Sequence, residues 1–348
     1  MPEPYDAVLV VSFGGPEKQE DVIPFLENVL RGRNVPRERM LEVAEHYKRF
    51  GGASPINAQT RRLIHALEAL LAGAGVQLPV YWGNRNWHPL LSDTVRRMRD
   101  DGVRRAVAFV TSAWSSYSSC RQYLENIEHA RAQCGDDAPR IDKLRVFYNH
   151  PGFIEATADR VAEAFGQVPA SRRDTAELIF TAHSIPLAMA EGCDYESQLR
   201  EACRLVAERL ARTDWRLVYQ SRSGPASQPW LEPDICRDLA DAARRGAGDV
   251  VVVPIGFLCD HMEVIYDLDY EARRVCEAHG LSMVRSETVG SHPRFVSMIH
   301  ELIMERIDST APRRAVGKFG PGHDRCPDGC CPRSTTRETD IGSHGRGG

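Results

Sequence analysis

The residues best suited to chemistry sit at the ends of apolar runs. His183 closes the run Glu177-Leu178-Ile179-Phe180-Thr181-Ala182 and is followed by Ser184-Ile185-Pro186. In an open α/β sheet, the carboxyl ends of strands are where ligands bind. An isolated histidine there can accept a proton, ligate a metal, or simply hydrogen-bond a loop. A second group, Asp260-His261-Met262-Glu263-Val264-Ile265-Tyr266-Asp267-Leu268-Asp269-Tyr270-Glu271, follows the apolar run 249–255. Written as a helix, it stacks Glu263, Asp267 and Glu271 on one face at four-residue steps. Like charges at that spacing cost a few tenths of a kcal/mol each. The face is either a solvated surface, helped by Arg273 and Arg274, or a carboxylate ladder that passes divalent cations or protons.

Further candidates follow other strand-like runs. They are Trp114-Ser115-Ser116-Tyr117-Ser118-Ser119-Cys120-Arg121-Gln122-Tyr123, Tyr219-Gln220-Ser221-Arg222, Gln228-Pro229-Trp230-Leu231 and the turn Gly51-Gly52-Ala53-Ser54-Pro55-Ile56. Each is compatible with ordinary loop chemistry. Together they suit a flat aromatic ligand with polar edges. The tail reads Cys326-Pro327-Asp328-Gly329-Cys330-Cys331. Three thiolates are one short of a four-coordinate site. His323 as the fourth ligand would suit zinc, and a cysteine from the body would suit a 2Fe–2S cluster. The spacing leaves both open.

The elements that must position these groups alternate along the chain. Strands are predicted at 7–13, 80–83, 106–111, 144–148, 177–182, 216–220, 249–255 and 281–285. Helical patterns lie between them, among others at 93–101, 121–133, 154–165, 195–212 and 293–307. Continuous apolar strands between helices indicate parallel sheets covered on both faces. The run 7–13 ends in Gly14-Gly15-Pro16 much as 177–183 ends in Ser184-Ile185-Pro186. The fold class is therefore α/β, with two Rossmann-like, doubly wound domains and a cleft where their strand ends meet. Expected boundaries are 1–151, 152–308 and a tail at 309–348. The Pro-, Gly- and Arg-rich stretch after 311 and the polar 334–348 should be disordered unless the cysteines tether them.

At 348 residues with a net charge of −4, 42% apolar and 26% charged, the composition is globular. It gives no reason to expect nucleic acid or an anionic membrane as partner. The start lacks a basic and apolar leader, and no apolar run approaches the ~20 residues that span a bilayer. A cytoplasmic protein without stable membrane insertion is expected, a monomer by default. Ten cysteines are many for a reducing compartment, and the tail cluster points to a metal.

Taken together, these segments resemble the ferrochelatase family. The carriers are Ser12-Phe13-Gly14-Gly15-Pro16, Gly51 to Ile56, Ala182-His183-Ser184-Ile185-Pro186, Gln220-Ser221 with Pro229-Trp230-Leu231, and Asp260-His261-Met262-Glu263 with Tyr266-Asp267. The resemblance covers 7–307. It implies Fe2+ insertion into a porphyrin bound between the two domains, with His183 and Glu263 as the metal-site pair on opposite faces of the ring. It implies tetrapyrrole contacts from Phe13, Ser54 and Tyr123, and an acidic row through Asp267 and Glu271. Relatives with a tyrosine at position 13 can use it as an axial iron ligand. Phe13 can only pack. His46 stands where some relatives place a propionate-binding arginine, for which Arg31, Arg33 or Lys48 could substitute.

The tail resembles members that hold a 2Fe–2S cluster with three C-terminal cysteines and one in the body. That implies Cys120, Cys326, Cys330 and Cys331 as ligands, although the tail spacing differs from the animal pattern. The soluble character and the tail cysteines resemble actinobacterial-type members, which implies coproporphyrin III as substrate in heme biosynthesis. Protoporphyrin IX is the alternative, and a non-catalytic porphyrin or heme carrier is the reading from a different class.

Overall fold

The computed structural model describes residues 4–32, 35–225 and 227–333. Each half of the chain builds one four-stranded parallel sheet. The first contains β1 (Ala7–Ser12), β2 (Val80–Asn84), β3 (Arg105–Val110) and β4 (Arg140–Lys143) in the order β2-β1-β3-β4. The second contains β5 (Glu177–His183), β6 (Trp215–Gln220), β7 (Asp249–Val253) and β8 (Ser282–Arg285) in the order β6-β5-β7-β8. The two orders are the same, with β5 taking the place of β1 and β7 that of β3. Phe13 and His183 thus stand at equivalent strand ends.

The runs of β-branched residues are buried on both sides, as parallel sheets require. On one face of the first sheet, Leu9, Val11, Ala106 and Ala108 pack under helices α4 and α5 below. On the other face, Val8, Val10, Val107 and Phe109 join a core shared by both sheets. The helices of the first half are α1 (Val22–Leu30), α2 (Arg37–Arg49), α3 (Ile56–Gly73), α4 (Leu91–Asp100) and α5 (Gln122–Cys134). Helix α6 (Pro151–Gln167) starts with proline after His150, whose ring Nδ1 accepts from the Gly152 amide at 3.1 Å.

The core does not divide at residue 151. The Pro293–Ile307 helix, expected in the second domain, packs against α3, α6 and β3. Its Phe295 ring lies 6.2 Å from Phe109 and 6.3 Å from Phe153.

The strand expected at 144–148 is instead the four residues Arg140–Lys143, paired with 105–108. Beyond it the chain turns inward, because Arg145 must reach Glu305. Its guanidinium bonds that carboxylate twice, at 2.7 and 2.8 Å, with the two side chains 1% and 2% exposed.

The tail is held well before its cysteines. Arg145 donates to Arg314 O, Asn149 Nδ2 to Phe319 O and Gly320 O, and the Lys318 amide to Glu201 Oε1 at 2.8 Å. Buried polar groups, rather than thiols alone, order residues 311–324, because each gains a partner it would otherwise lack. The polar segment 334–348 and Arg33 lie outside the described residues.

Candidate active site

His183 is the last residue of β5 and pairs in register with Gln220 on β6. Its ring Nδ1 is bonded to Ser184 O, and Tyr195 Oη donates to the His183 carbonyl at 3.0 Å. A proton held on Nδ1 leaves the Nε2 lone pair free. That nitrogen lies 3.8 Å from Glu263 Oε2. Two acceptors aimed at each other call for a proton or a cation between them. One divalent ion at ligand distances of about 2.1 Å spans the gap with a bent geometry.

This corrects the arrangement read from sequence. A porphyrin between the pair would need about 7 Å, two van der Waals contacts of ~3.5 Å. As placed, His183 and Glu263 leave no room for a ring between them. His261 stands beside them, its Nδ1 accepting from the Glu263 amide at 3.2 Å, and burial lowers its pKa.

The acidic segment is not the regular α-helix expected. A short turn, Met262–Val264, passes into a π-helix at Ile265–Ala272. The wider π turn unstacks residues four apart, and such turns favour functional sites. Asp267 is drawn inward, where Ser221 Oγ and Gln220 Nε2 both donate to its Oδ2, the latter at 3.3 Å. Gln220 also donates to Glu263 O at 3.2 Å and accepts from Thr181 Oγ1 at 2.8 Å, tying the π-helix to β5 and β6. Burial pushes the Asp267 carboxyl up to about 7, against the two hydrogen bonds. Glu271 lies at the far end, where partial desolvation, then the Asp234 charge, raises its pKa.

The first half supplies the facing wall. Phe13 meets Phe25 edge-on at 6.2 Å, in a cluster with Tyr47, Trp87, Met262 and Tyr266. His46 stacks on Tyr266 at 3.6 Å, nearly parallel, joining α2 to the π-helix. The other candidates are less open. Ser54 is 6% exposed and Tyr123 5%. Arg31 is exposed and donates to Asn28 Oδ1 at 2.6 Å, and Lys48 pairs with Glu45. Sequence reasoning passed over Arg85, whose guanidinium lies 4.4 Å from the Tyr123 ring and 5.6 Å from Phe13. Its place one residue beyond β2 was the available signal.

The tail cysteines gather against the first half. Cys330 and Cys331 Sγ are 3.8 Å apart, and the Cys120 and Cys326 thiols hydrogen-bond each other. About 3.8 Å is the spacing of two thiolates on one tetrahedral metal with bonds of ~2.3 Å. The donor set fits a thiolate-bound group. The hydrogen bond from Cys120 lowers the Cys326 pKa to about 7. His323 Nε2 lies 3.7 Å from Cys330 Sγ, and His323, Cys326 and Cys330 together could also hold an ion.

Among solved structures, the chain resembles SirB from Bacillus subtilis with Fe3+, at a TM-score of 0.55 and 12% identity, covering 89% of this chain and 98% of that one. The cobalt complex of sirohydrochlorin chelatase SirB from Bacillus subtilis subspecies spizizenii gives 0.50 and 12%, covering 88% and 94%. At such identity the likeness concerns the fold. Two doubly wound sheets, with His183 ending one strand and Glu263 in the segment that follows another, share the fold of these chelatases. The ferrochelatase family model matches residues 5–307. The chain is 57% identical to a ferrochelatase of Rhodopirellula baltica, over 94% of this chain and 93% of the relative. It is 51% identical to a coproporphyrin III ferrochelatase of Nocardia farcinica (94% and 96%) and 48% to one of Streptomyces coelicolor (98% and 96%). This chain belongs to the ferrochelatase family and is a metal-inserting enzyme of porphyrin metabolism. No described helix is long and apolar enough to cross a membrane.

Proposed function

We propose that the enzyme inserts Fe2+ into coproporphyrin III to give coproheme, with His183 and Glu263 as the metal-site pair. The observation that carries the substrate is the likeness, near 50% over almost the whole chain, to relatives named for that porphyrin. The observation that carries the pair is the 3.8 Å approach of its two acceptor atoms.

Metallation must deliver a dication and remove two pyrrole protons. His183 Nε2 and Glu263 Oε2 hold the incoming Fe2+ on one side of the ring, then each of them accepts one of the two pyrrole protons as the metal passes to the four nitrogens. Asp267, titrating near neutrality, takes the two protons on in turn toward Glu271 and solvent. Phe13, on the opposite wall, offers no ligand and braces the macrocycle, so iron meets protein donors from one side alone.

Cys120, Cys326, Cys330 and Cys331 hold a 2Fe–2S cluster in this reading, and the protein is a cytoplasmic monomer. When bound, such a cluster supplies a one-electron centre and ties the tail to the turn Tyr117–Arg121. Insertion involves no redox change, so the role assigned to it is structural or iron-sensing. The test is anaerobic turnover with Fe2+, followed by absorption. Coproporphyrin III should be metallated at least tenfold more efficiently than protoporphyrin IX, and the reverse preference would overturn the substrate assignment.

A further inference from the structure

Among the described residues, Arg85 is a cation without a counter-charge. Arg85 follows β2, and its amide donates to Ser12 O at 3.0 Å, so it stands at the carboxyl end of the sheet beside Phe13. The next amide, that of Asn86, donates to Phe13 O at 3.1 Å, which fixes this loop on the end of β1. Among the described residues Arg85 makes no ion pair, whereas Arg96, Arg97, Arg99 and Arg105 further along the same half all meet carboxylates. Its Nη1 reaches Ser118 O only at 3.5 Å, and its Nε is buried without an acceptor. The guanidinium instead rests on two rings, Tyr123 at 4.4 Å and Phe13 at 5.6 Å, and its one side-chain hydrogen-bond partner among the described residues is the neutral Tyr123 phenol.

A buried donor without an acceptor is costly unless a ligand supplies one. Arginine is matched in shape to a carboxylate, which takes two parallel hydrogen bonds. The anion that the reaction brings to this wall is the porphyrin, through its propionates. Coproporphyrin III carries propionates where protoporphyrin IX carries vinyl groups, so a cation here selects the more acidic ring. Resting on the substrate reading above, we infer that Arg85 anchors a propionate of the porphyrin and is a determinant of its preference for coproporphyrin III. The stacked guanidinium swings off Tyr123 as the ring enters, exchanging the weak Ser118 contact for a carboxylate.

The test uses the full chain without iron and measures porphyrin binding by fluorescence quenching. Arg85→Met should weaken coproporphyrin III by roughly 10- to 100-fold. It should leave the uncharged tetramethyl ester of coproporphyrin within about twofold, because only the acid loses a charge-assisted hydrogen bond. In turnover, KM should rise while kcat changes little. Arg85→Lys, which keeps the charge but not the fork, should fall between the two. Equal weakening of acid and ester would reduce Arg85 to packing and overturn the inference, as would unchanged binding of the acid. Should Arg85→Met fail to fold, Arg85→Lys decides, and wild-type affinity in that variant counts against the anchor. If the wild type prefers protoporphyrin IX, the substrate reading fails on its own, while the acid–ester comparison still judges Arg85 with that porphyrin.

Discussion

Ser221, held in the left-handed region at a φ of 62°, donates its hydroxyl to the carboxylate of Asp267. The strained turn after β6 thus sets the charge of a residue on the π-helix. Burial pushes that carboxyl up to about 7, and the serine works against the rise. Removing the hydroxyl in Ser221→Ala withdraws support from the charged form, so the pKa moves further up. With Asp267 acting as carboxylate, the rising limb of kcat against pH should shift about one unit to higher pH. A limb that stays in place would detach Asp267 from the rate.

The same carboxyl has a stability signature. Its folded pKa of about 7 lies above the usual carboxylate value of 3.8, so the folded state holds its proton more tightly than the unfolded chain. That contribution is complete below pH ~4 and is lost as pH rises through 7. Asp267→Asn should therefore be the more stable protein at pH 8, by about 2–4 kcal/mol, and near parity at pH 4. Urea titrations at the two pH values check the difference.

For the metal-site pair, His183→Ala should abolish iron insertion while porphyrin still binds, as followed by quenching of porphyrin fluorescence. Glu263→Gln keeps size and removes charge, and a loss of roughly 10²–10⁴ in kcat is expected for a group that moves a proton or an ion. Near-normal turnover in His183→Ala would sink the assignment.

At the tail, Cys330→Ser should bleach the visible absorption of the proposed cluster and leave a folded protein, because Asn149, Glu201 and Arg145 hold 311–324 independently. In protein stripped of metal, Cys326 should react first with iodoacetamide near pH 7, since its pKa is lowered to about 7 by Cys120. Cys203 should stay unlabelled, being fully buried in the shared core with its pKa raised by that burial. Peptide mapping after brief labelling reads the order.

The Arg145–Glu305 pair is among the most enclosed in the molecule. Glu305→Ala would leave a buried guanidinium with only carbonyl partners, at a cost of roughly 3–5 kcal/mol. Thermal unfolding should show a clear fall in midpoint, and limited proteolysis should cut first within 309–325.

The strands were legible because buried parallel strands are written as uninterrupted apolar runs, and seven of the eight fall at the expected places within one or two residues. The eighth was misplaced because Leu144, Val146 and Phe147 are apolar for a different reason, lining the shared core after the strand has ended. His183 and Glu263 were singled out through strand ends and flanking motifs. Their 3.8 Å approach was not foreseen, since local patterns carry no distance between segments eighty residues apart. The π-helix was likewise hidden, because four-residue spacing suits an α-helix as well. Arg85 gave little sign at all. What distinguishes it is that no carboxylate among the described residues pairs with it, which no window of sequence records.

The return of the Pro293–Ile307 helix to the first sheet bears on how the chain is made. Translation delivers β1 and α3 long before the helix that covers them, and Phe109 waits for Phe295 until most of the chain has been synthesised. The first half thus leaves the ribosome with an apolar face uncovered, a state prone to aggregate until the last helix docks. That face is closed only when residues 293–307 dock, and a chain truncated before residue 293 should be insoluble even though it contains both sheets.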